Sequence, residues 1–393
     1  MVDAVDIVDM RRSGTRTGSR AAEARAGFAC EARPFDSAAR AEYAEFCGLV
    51  PHATPQSPSF VSAWADEPDA DMVMASIAEA GQTSMMLVLE VVRDGAAVVA
   101  RHPGGRHANG SFPAFAGTGP SDLREGLAEA VRRARPEIDL VLLERNERER
   151  EGRANPLLGA GCSQSPNVAL AVNLEGGFDA TLERASGKRK LKKHRAQIRK
   201  FEAAGGYRCY RAATAGEVDA LLDGFYAMKA ERFRHMGITD VFADAGVKRA
   251  FRRMFVGALD RDNPDFILHG LEVGGRLRAV TACSVSGGRI TCEFSAFWVD
   301  ELSSASPGEF LFFEDVRRAC EDGLAVYDFG VGDEPYKRTW CDIENRHFDF
   351  YLPLTARGHA ISATRRATGA VKRAVKENRT LWSIVKRLRR SGA

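Results

Sequence analysis

The chain has 393 residues, 45 % of them hydrophobic and 28 % charged, with a formal net charge of +3. That balance suits a soluble globular protein with a proper core and room for two domains. Its eight cysteines are scattered, with no C-x-x-C and no histidine at ligand spacing, which argues against a zinc site and a secreted disulfide framework. No apolar run approaches the roughly 20 residues of a membrane span.

Residues 1–26 are rich in Arg, Ala, Gly, Ser and Thr without periodicity and read as a disordered leader with no secretory signal. The protein is expected in the cytoplasm. A strand over Phe28–Arg33 and helices over Ala38–Cys47 and Phe60–Ala65 come next, the last after a Pro/Ser loop. Met85–Val92 and Ala96–Arg101 flank Arg93-Asp94-Gly95, a hairpin signal. A glycine-rich loop, His102–Phe115, leads to a helix capped by Ser121 and closed by Pro136. The apolar run Ile138–Leu143 follows, as expected of a doubly buried strand. Asn167–Leu174 is expected to finish the first sheet.

The second half repeats the order. It has a strand at Gly206–Ala212, helices at Ala215–His235 and Val247–Leu259, and a hairpin of Phe266–Val273 with Arg276–Ser284. The strand Arg289–Val299, the helix Gly308–Asp322 and the strand Ala325–Phe329 complete it. An order of elements that recurs along the chain points to a duplicated domain. Between the copies, Lys188–Lys200 is a helix with eight Lys/Arg and no acid, so little of it fits a core. Ala360–Ala393 carries ten Lys/Arg and one acid, Glu377. This tail alternates apolar and basic pairs and includes Trp382, a pattern that suits peripheral membrane contact or a helix packed on the body.

Ser303–Trp340 organises the second half. Pro307 and Gly308 open a helix, and the amides at such a start favour a phosphate. The bland alternative is an ordinary capped helix. The strand before it carries one carboxylate, Glu293, among Phe294, Phe297 and Trp298. Burial there would raise its pKa toward the range of a useful general base.

These stretches, Ser306-Pro307-Gly308-Glu309-Phe310-Leu311, Tyr327-Asp328-Phe329-Gly330 and Gly332 to Trp340, resemble the GNAT acyl-CoA N-acyltransferase superfamily. More narrowly they resemble its tandem CelD-like acetyltransferases of cellulose and exopolysaccharide synthesis, similar in build to Fem-type aminoacyl transferases. The resemblance implies an α/β protein of two tandem GNAT-like domains with mixed central sheets flanked by helices. The degenerate half is expected at 27–175, the catalytic half at 176–355 and the basic tail at 356–393. One departure stands out: Ser303 to Gly308 replaces the superfamily's Q/R-x-x-G-x-G/A loop.

Under this reading an acetyl or other acyl group passes from acyl-CoA to an amine or hydroxyl, without a metal. Glu293 is the expected base and Tyr336 the donor to the leaving thiolate. Asp328, inside an apolar strand, is expected to pair with Lys337 or Arg338, and Asp328 and Lys337 are counted with the catalytic residues beside the substrate. Phe297, Trp298 and Val299 would lie along the acyl carrier, a main-chain N–H among them polarising its carbonyl, and Ser306 to Phe310 would hold its diphosphate. His107, Asn109, Asp333 and Trp340 are expected around the acceptor, a small molecule or saccharide. An acyl carrier protein or aminoacyl-tRNA remains an alternative carrier, the latter held by the basic helix and tail. A non-catalytic scaffold of a polysaccharide assembly is the rival outside catalysis.

Overall fold

A computed structural model describes residues 28–378 except 118 and 120–122. The leader, the expected Ser121 cap and the tail from residue 379 lie outside the described residues.

Local signals set most elements. In the first half, β1 (Phe28–Pro34) precedes α1 (Ser37–Cys47), whose cap Asp36 accepts from the Ala39 N–H at 2.9 Å. Ser57 caps α2 (Pro58–Ala65), with Pro58 at its first position. The strands β2 (Met72–Glu79), β3 (Gln82–Asp94) and β4 (Ala97–Arg101) come next, then the short β5 (Ala114–Phe115). After α3 (Leu123–Ala134) come β6 (Leu140–Asn146) and the two-residue β7 (Glu149–Arg150) and β8 (Arg153–Ala154). The half ends in β9 (Cys162–Asn173), followed by α4 (Gly177–Arg184) and α5 (Gly187–Ala203).

The second half opens with β10 (Tyr207–Arg211) and α6 (Ala215–His235), the helix started by Thr214 accepting from the Glu217 N–H. Asp244 caps α7 (Ala245–Gly257). Then come β11 (Phe266–Val273), β12 (Arg276–Ser286), β13 (Arg289–Phe297) and α8 (Pro307–Glu321). Last are β14 (Val326–Val331), the one-turn α9 (Pro335–Arg338), β15 (Ile343–Pro353) and α10 (Ala356–Glu377).

Besides the two-residue β5, β7 and β8, two longer strands escape the sequence reading: β2, a Met/Ala/Ser run with weak strand propensity, and β15, whose first half is charged. Their pairing decides the architecture. One sheet runs β1-β2-β3-β4-β6-β15-β9-β14-β13-β12-β11-β10. Within each half the first four strands are antiparallel, and the single parallel step is β4 with β6 or β13 with β14.

At the centre the halves exchange strands. The last strand of the second half, β15, lies against β6 of the first, while β9 lies against β14. The two exchanged strands also pair with each other. Asn167–Leu174 was expected to finish the first sheet, and here the outcome differs. β9 completes the second half's side because β15 already occupies the edge of β6.

One apolar cluster spans both halves on a single face of the sheet. It joins Tyr43, Phe60 and Trp64 of α1 and α2 to Phe225 of α6, Phe251 of α7 and Phe294 of β13. The opposite face has separate cores under α3 and α8. The described part of the basic tail, α10, packs on β9 and β15. The basic helix α5 buries Gln197 and Phe201 against the region of α8 and leaves its other side in water.

Candidate active site

The site begins with an irregularity in β13. Ala282 pairs with Phe294 and Cys283 with Cys292, so Glu293 is the extra residue of a β-bulge. A bulge re-aims the side chains around it. Here Cys292 points into the core under α8, whereas Phe294 points into the shared cluster on the other face. Glu293 turns toward the first half. Ser284 Oγ donates to its Oε1 at 2.6 Å, and Asn109 Nδ2 donates to its Oε2 at 3.1 Å and to its carbonyl at 3.0 Å. Thr54 Oγ1 lies 2.8 Å from Ser284 Oγ. The carboxylate is therefore held by residues of both halves.

Asn109 is presented by the loop after β4. That loop turns at Gly104, in the left-handed region (φ +72°), where a Cβ would sit 2.6 Å from the Trp64 indole; only glycine fits. His107 then stacks on Trp64 at 6.0 Å and meets Phe251 edge-on at 5.5 Å. Burial, with Arg106 adding to it, pushes His107 down to about 4, so the imidazole is neutral at pH 7.

Arg145 locks the loop from below. Glu144 and Arg145 together face only Asp349 on β15, a second bulge, and Arg145 adopts φ +60°. Its backbone N–H donates to Asp349 Oδ1 at 2.9 Å. Its Nη1 donates to the carbonyls of Arg106 and Ala108 at 3.0 and 3.2 Å and lies 3.5 Å from Asn109 Oδ1. That arrangement points the amide nitrogen of Asn109 at Glu293.

Above these groups lies an open cavity of about 500 Å³, with His107, Asn109, Arg145, Phe242, Phe251 and Glu293 among its walls. Desolvation pushes the Glu293 carboxyl up to about 7, against the opposing pull of the Ser284 and Asn109 bonds. A carboxyl poised near neutrality, in reach of a cavity, can take a proton from an entering amine or hydroxyl.

Beside the cavity the sheet is open. The β13–β14 ladder covers only Arg289 to Thr291 against Val326 to Asp328. From Glu293 to Phe297, β13 keeps β12 as its only ladder partner. Pro307 and Gly308 start α8 at the far end of this gap. Ser306, at φ +53°, makes no side-chain cap, and its carbonyl accepts from the Glu309 and Phe310 N–H groups and from Gln197 Nε2 at 3.1 Å. Phe297 lies against Gly308, where a Cβ would come 2.9 Å from its ring. Glu309 turns outward to Lys193. Phe310 is buried beneath His194, stacked at 4.6 Å. Of the expected carbonyl-polarising amides, Trp298 N–H is already spent on Arg278 O at 3.0 Å, because the β12–β13 ladder runs on that far. Val299 is 77 % exposed.

The structure gathers Glu293, His107 and Asn109 in one cavity and places the other expected residues elsewhere. Tyr336 stacks on Phe312 at 5.4 Å, and burial holds its phenol well above its ordinary pKa. Asp328 was expected to pair with Lys337 or Arg338. It pairs instead with Arg289 Nη1 at 3.0 Å, which reaches it from the parallel neighbour strand. Lys337 Nζ binds the Val331 carbonyl and Glu334, both at 3.1 Å. Arg338 is taken by Asp333 and Glu344. Trp340 is buried against Phe313, with Lys190 Nζ 3.8 Å from its ring. Ser284, Thr54 and Arg145 escaped the sequence reading. A lone Arg after an apolar strand carries no signal of a bulge.

Among the described residues no group of three or more His, Cys, Asp or Glu side chains is placed to hold a metal ion. No helix among them is long and apolar enough to cross a membrane.

Residues 188–338, fewer than half of the chain, match the acetyltransferase (GNAT) domain family, and that match supports a GNAT-type transferase. No protein of curated function matches it in sequence. Among solved structures it is similar to FemX, with a TM-score of 0.58 at 9 % identity over 82 % of this chain and 98 % of that one. That likeness shows a shared fold. The chain is also similar to L-PGS from Bacillus licheniformis, at 11 % identity, TM-score 0.49, over 88 % and 98 % of the two chains. A tandem GNAT protein from the clavulanic acid biosynthesis pathway is similar at 14 % identity, TM-score 0.44, over 83 % and 99 %.

Proposed function

We propose that the protein transfers an acyl group, most simply acetyl, from acyl-CoA to an amine or hydroxyl in the cavity between its halves. The observation that carries this is Glu293, a bulged carboxyl with a pKa pushed up to about 7 on the cavity wall. The thioester lies along the open edge of β13, where unpaired backbone can bond the carrier's amides, and its diphosphate rests at Pro307 and Gly308. The acceptor attacks the thioester carbonyl, and its proton passes to Glu293 directly or through one water. The carbon–sulfur bond then breaks and the proton returns from Glu293 to the thiolate. Most of the acceleration comes from holding the two reactants together.

The cavity's mix of Arg106, Arg145 and Glu144 with aromatic walls suits a polyhydroxylated acceptor. This supports a saccharide of polysaccharide or cell-envelope synthesis. Contact of the basic residues after α10 with a membrane surface belongs to the same proposal, on composition alone.

Calorimetric titration with acetyl-CoA tests the reading. Saturable binding is expected, kept in Glu293→Gln while release of CoA to an acceptor panel falls by about 10²–10⁴-fold. Absence of acetyl-CoA binding, or unchanged turnover in Glu293→Gln, would refute it.

A further inference from the structure

The basic helix α5 is used on one side only. Its inner face is fixed along the first turns of α8. Gln197 Nε2 donates to Ala305 O at 2.7 Å, and His194 stacks between Phe310 and Phe313 while its Nε2 lies 2.7 Å from Glu314. Lys193 pairs with Glu309, and Lys190 covers Trp340. The outer face is different. Lys188, Lys192, Arg195 and Arg199 recur at helical spacing, so they form one stripe about 16 Å long. All four are exposed, and among the described residues none has an ion-pair partner. Like charges at i, i+4, as in Lys188 with Lys192 and Arg195 with Arg199, destabilise a helix. The stripe is thus a concentrated positive surface that the fold itself does not neutralise.

Its position and composition narrow what it can receive. It flanks the start of α8, about one helix diameter from Gly308. No aromatic side chain stands among the four cations to stack on an unpaired base, and no apolar one to enter a bilayer, so the stripe offers charge alone. A folded surface that is itself acidic is the fitting counterpart.

We propose that α5 docks a small acidic protein that carries the acyl group on a phosphopantetheine arm. The carrier's acidic face lies along Lys188, Lys192, Arg195 and Arg199, and its arm passes the α8 start to reach the open edge of β13. The inference rests on the acyl-transfer reading above. CoA and such a carrier share the phosphopantetheine thioester, and the stripe is the feature that favours the protein-borne form. The chemical step is unchanged: acceptor to carbonyl, proton to Glu293, thiolate released on the carrier.

The test compares the full chain with a variant bearing Lys188→Glu, Lys192→Glu, Arg195→Glu and Arg199→Glu. A bacterial acyl carrier protein in its acetylated form, acetyl-CoA, tRNA and phosphatidylglycerol vesicles are the probes, and thermal melting confirms folding. The expected result is binding of the acetylated carrier that weakens at least tenfold in the variant and with added salt, while acetyl-CoA affinity stays within twofold. A single reversal, Lys192→Glu, should weaken it two- to threefold if the quadruple variant fails to fold. Silence of the carrier while acetyl-CoA binds, carrier binding indifferent to the reversals, or tighter stripe-dependent binding of tRNA or vesicles would each overturn the proposal. Silence of acetyl-CoA as well would instead remove the acyl-transfer reading beneath it.

Discussion

Replacing Glu293 by glutamine should gain stability relative to the native chain as pH rises from 5 to 8. Burial raises the carboxyl from 4.5 to about 7. The folded form therefore holds the proton more tightly than the unfolded one. The stability linked to that proton is complete below about 4.5 and is lost as pH rises through about 7. Two and a half units correspond to about 3 kcal/mol. Glutamine has no proton to lose and keeps the shape. Its oxygen can still accept from Asn109. Its amide can donate to Ser284, whose hydroxyl is free to turn toward Thr54, 2.8 Å away. For the about 350 residues described, the entropy of unfolding near the midpoint is on the order of 0.7 kcal/mol per kelvin, so 3 kcal/mol is worth about 4 °C. Calorimetric melting of both proteins at pH 5 and pH 8 measures this directly. Whatever their difference at pH 5, it should grow in favour of Glu293→Gln by about 4 °C at pH 8. A difference that does not change with pH would mean that this carboxyl is ordinary, and the case for it as base would fall.

Asn109→Ala removes a donor that favours the ionised carboxylate, so the acid limb of the pH–rate profile should move upward by about half a unit to one unit; a profile that stays in place would detach Asn109 from the site. Arg145→Met and Arg145→Gly should each lower turnover about tenfold with acetyl-CoA affinity unchanged. Of the two, the glycine variant should melt higher because it relieves the positive φ, by about 1 kcal/mol; equal melting would deny the strain. Trp340→Ala should cost about 3–5 kcal/mol of stability as a core truncation; a raised acceptor KM without destabilisation would instead place Trp340 at the acceptor.

Periodicity made much of this fold legible. The helix at Ala215–His235 and the strand at Phe266–Val273 appear with the expected bounds, because a long amphipathic stretch with a Thr-x-x-Glu start and a Gly-Gly hairpin leave little freedom. The strand β15 did not, since Glu344, Asn345 and Arg346 hide a run whose second half is fully buried. Nor did the exchange of β9 and β15, which depends on partners nearly 200 residues away. At the site, a lone acid in an aromatic strand was enough to single out Glu293. Its bulge is a property of two strands in register, invisible in either alone. The mistaken partner of Asp328 has the same origin. Lys337 and Arg338 are near in sequence, whereas Arg289 is near in the sheet.

The crossing of β9 and β15 also sets a timetable for synthesis. The edge of β6 stays bare until β15 leaves the ribosome, nearly 200 residues later. At about 5–20 residues per second that is roughly 10–40 s of waiting. Throughout it, the nascent first half exposes an unpaired strand, an invitation to mispairing with other chains. Two halves expressed separately would each keep a bare edge at β6 or β14, and with it a standing risk of mispairing.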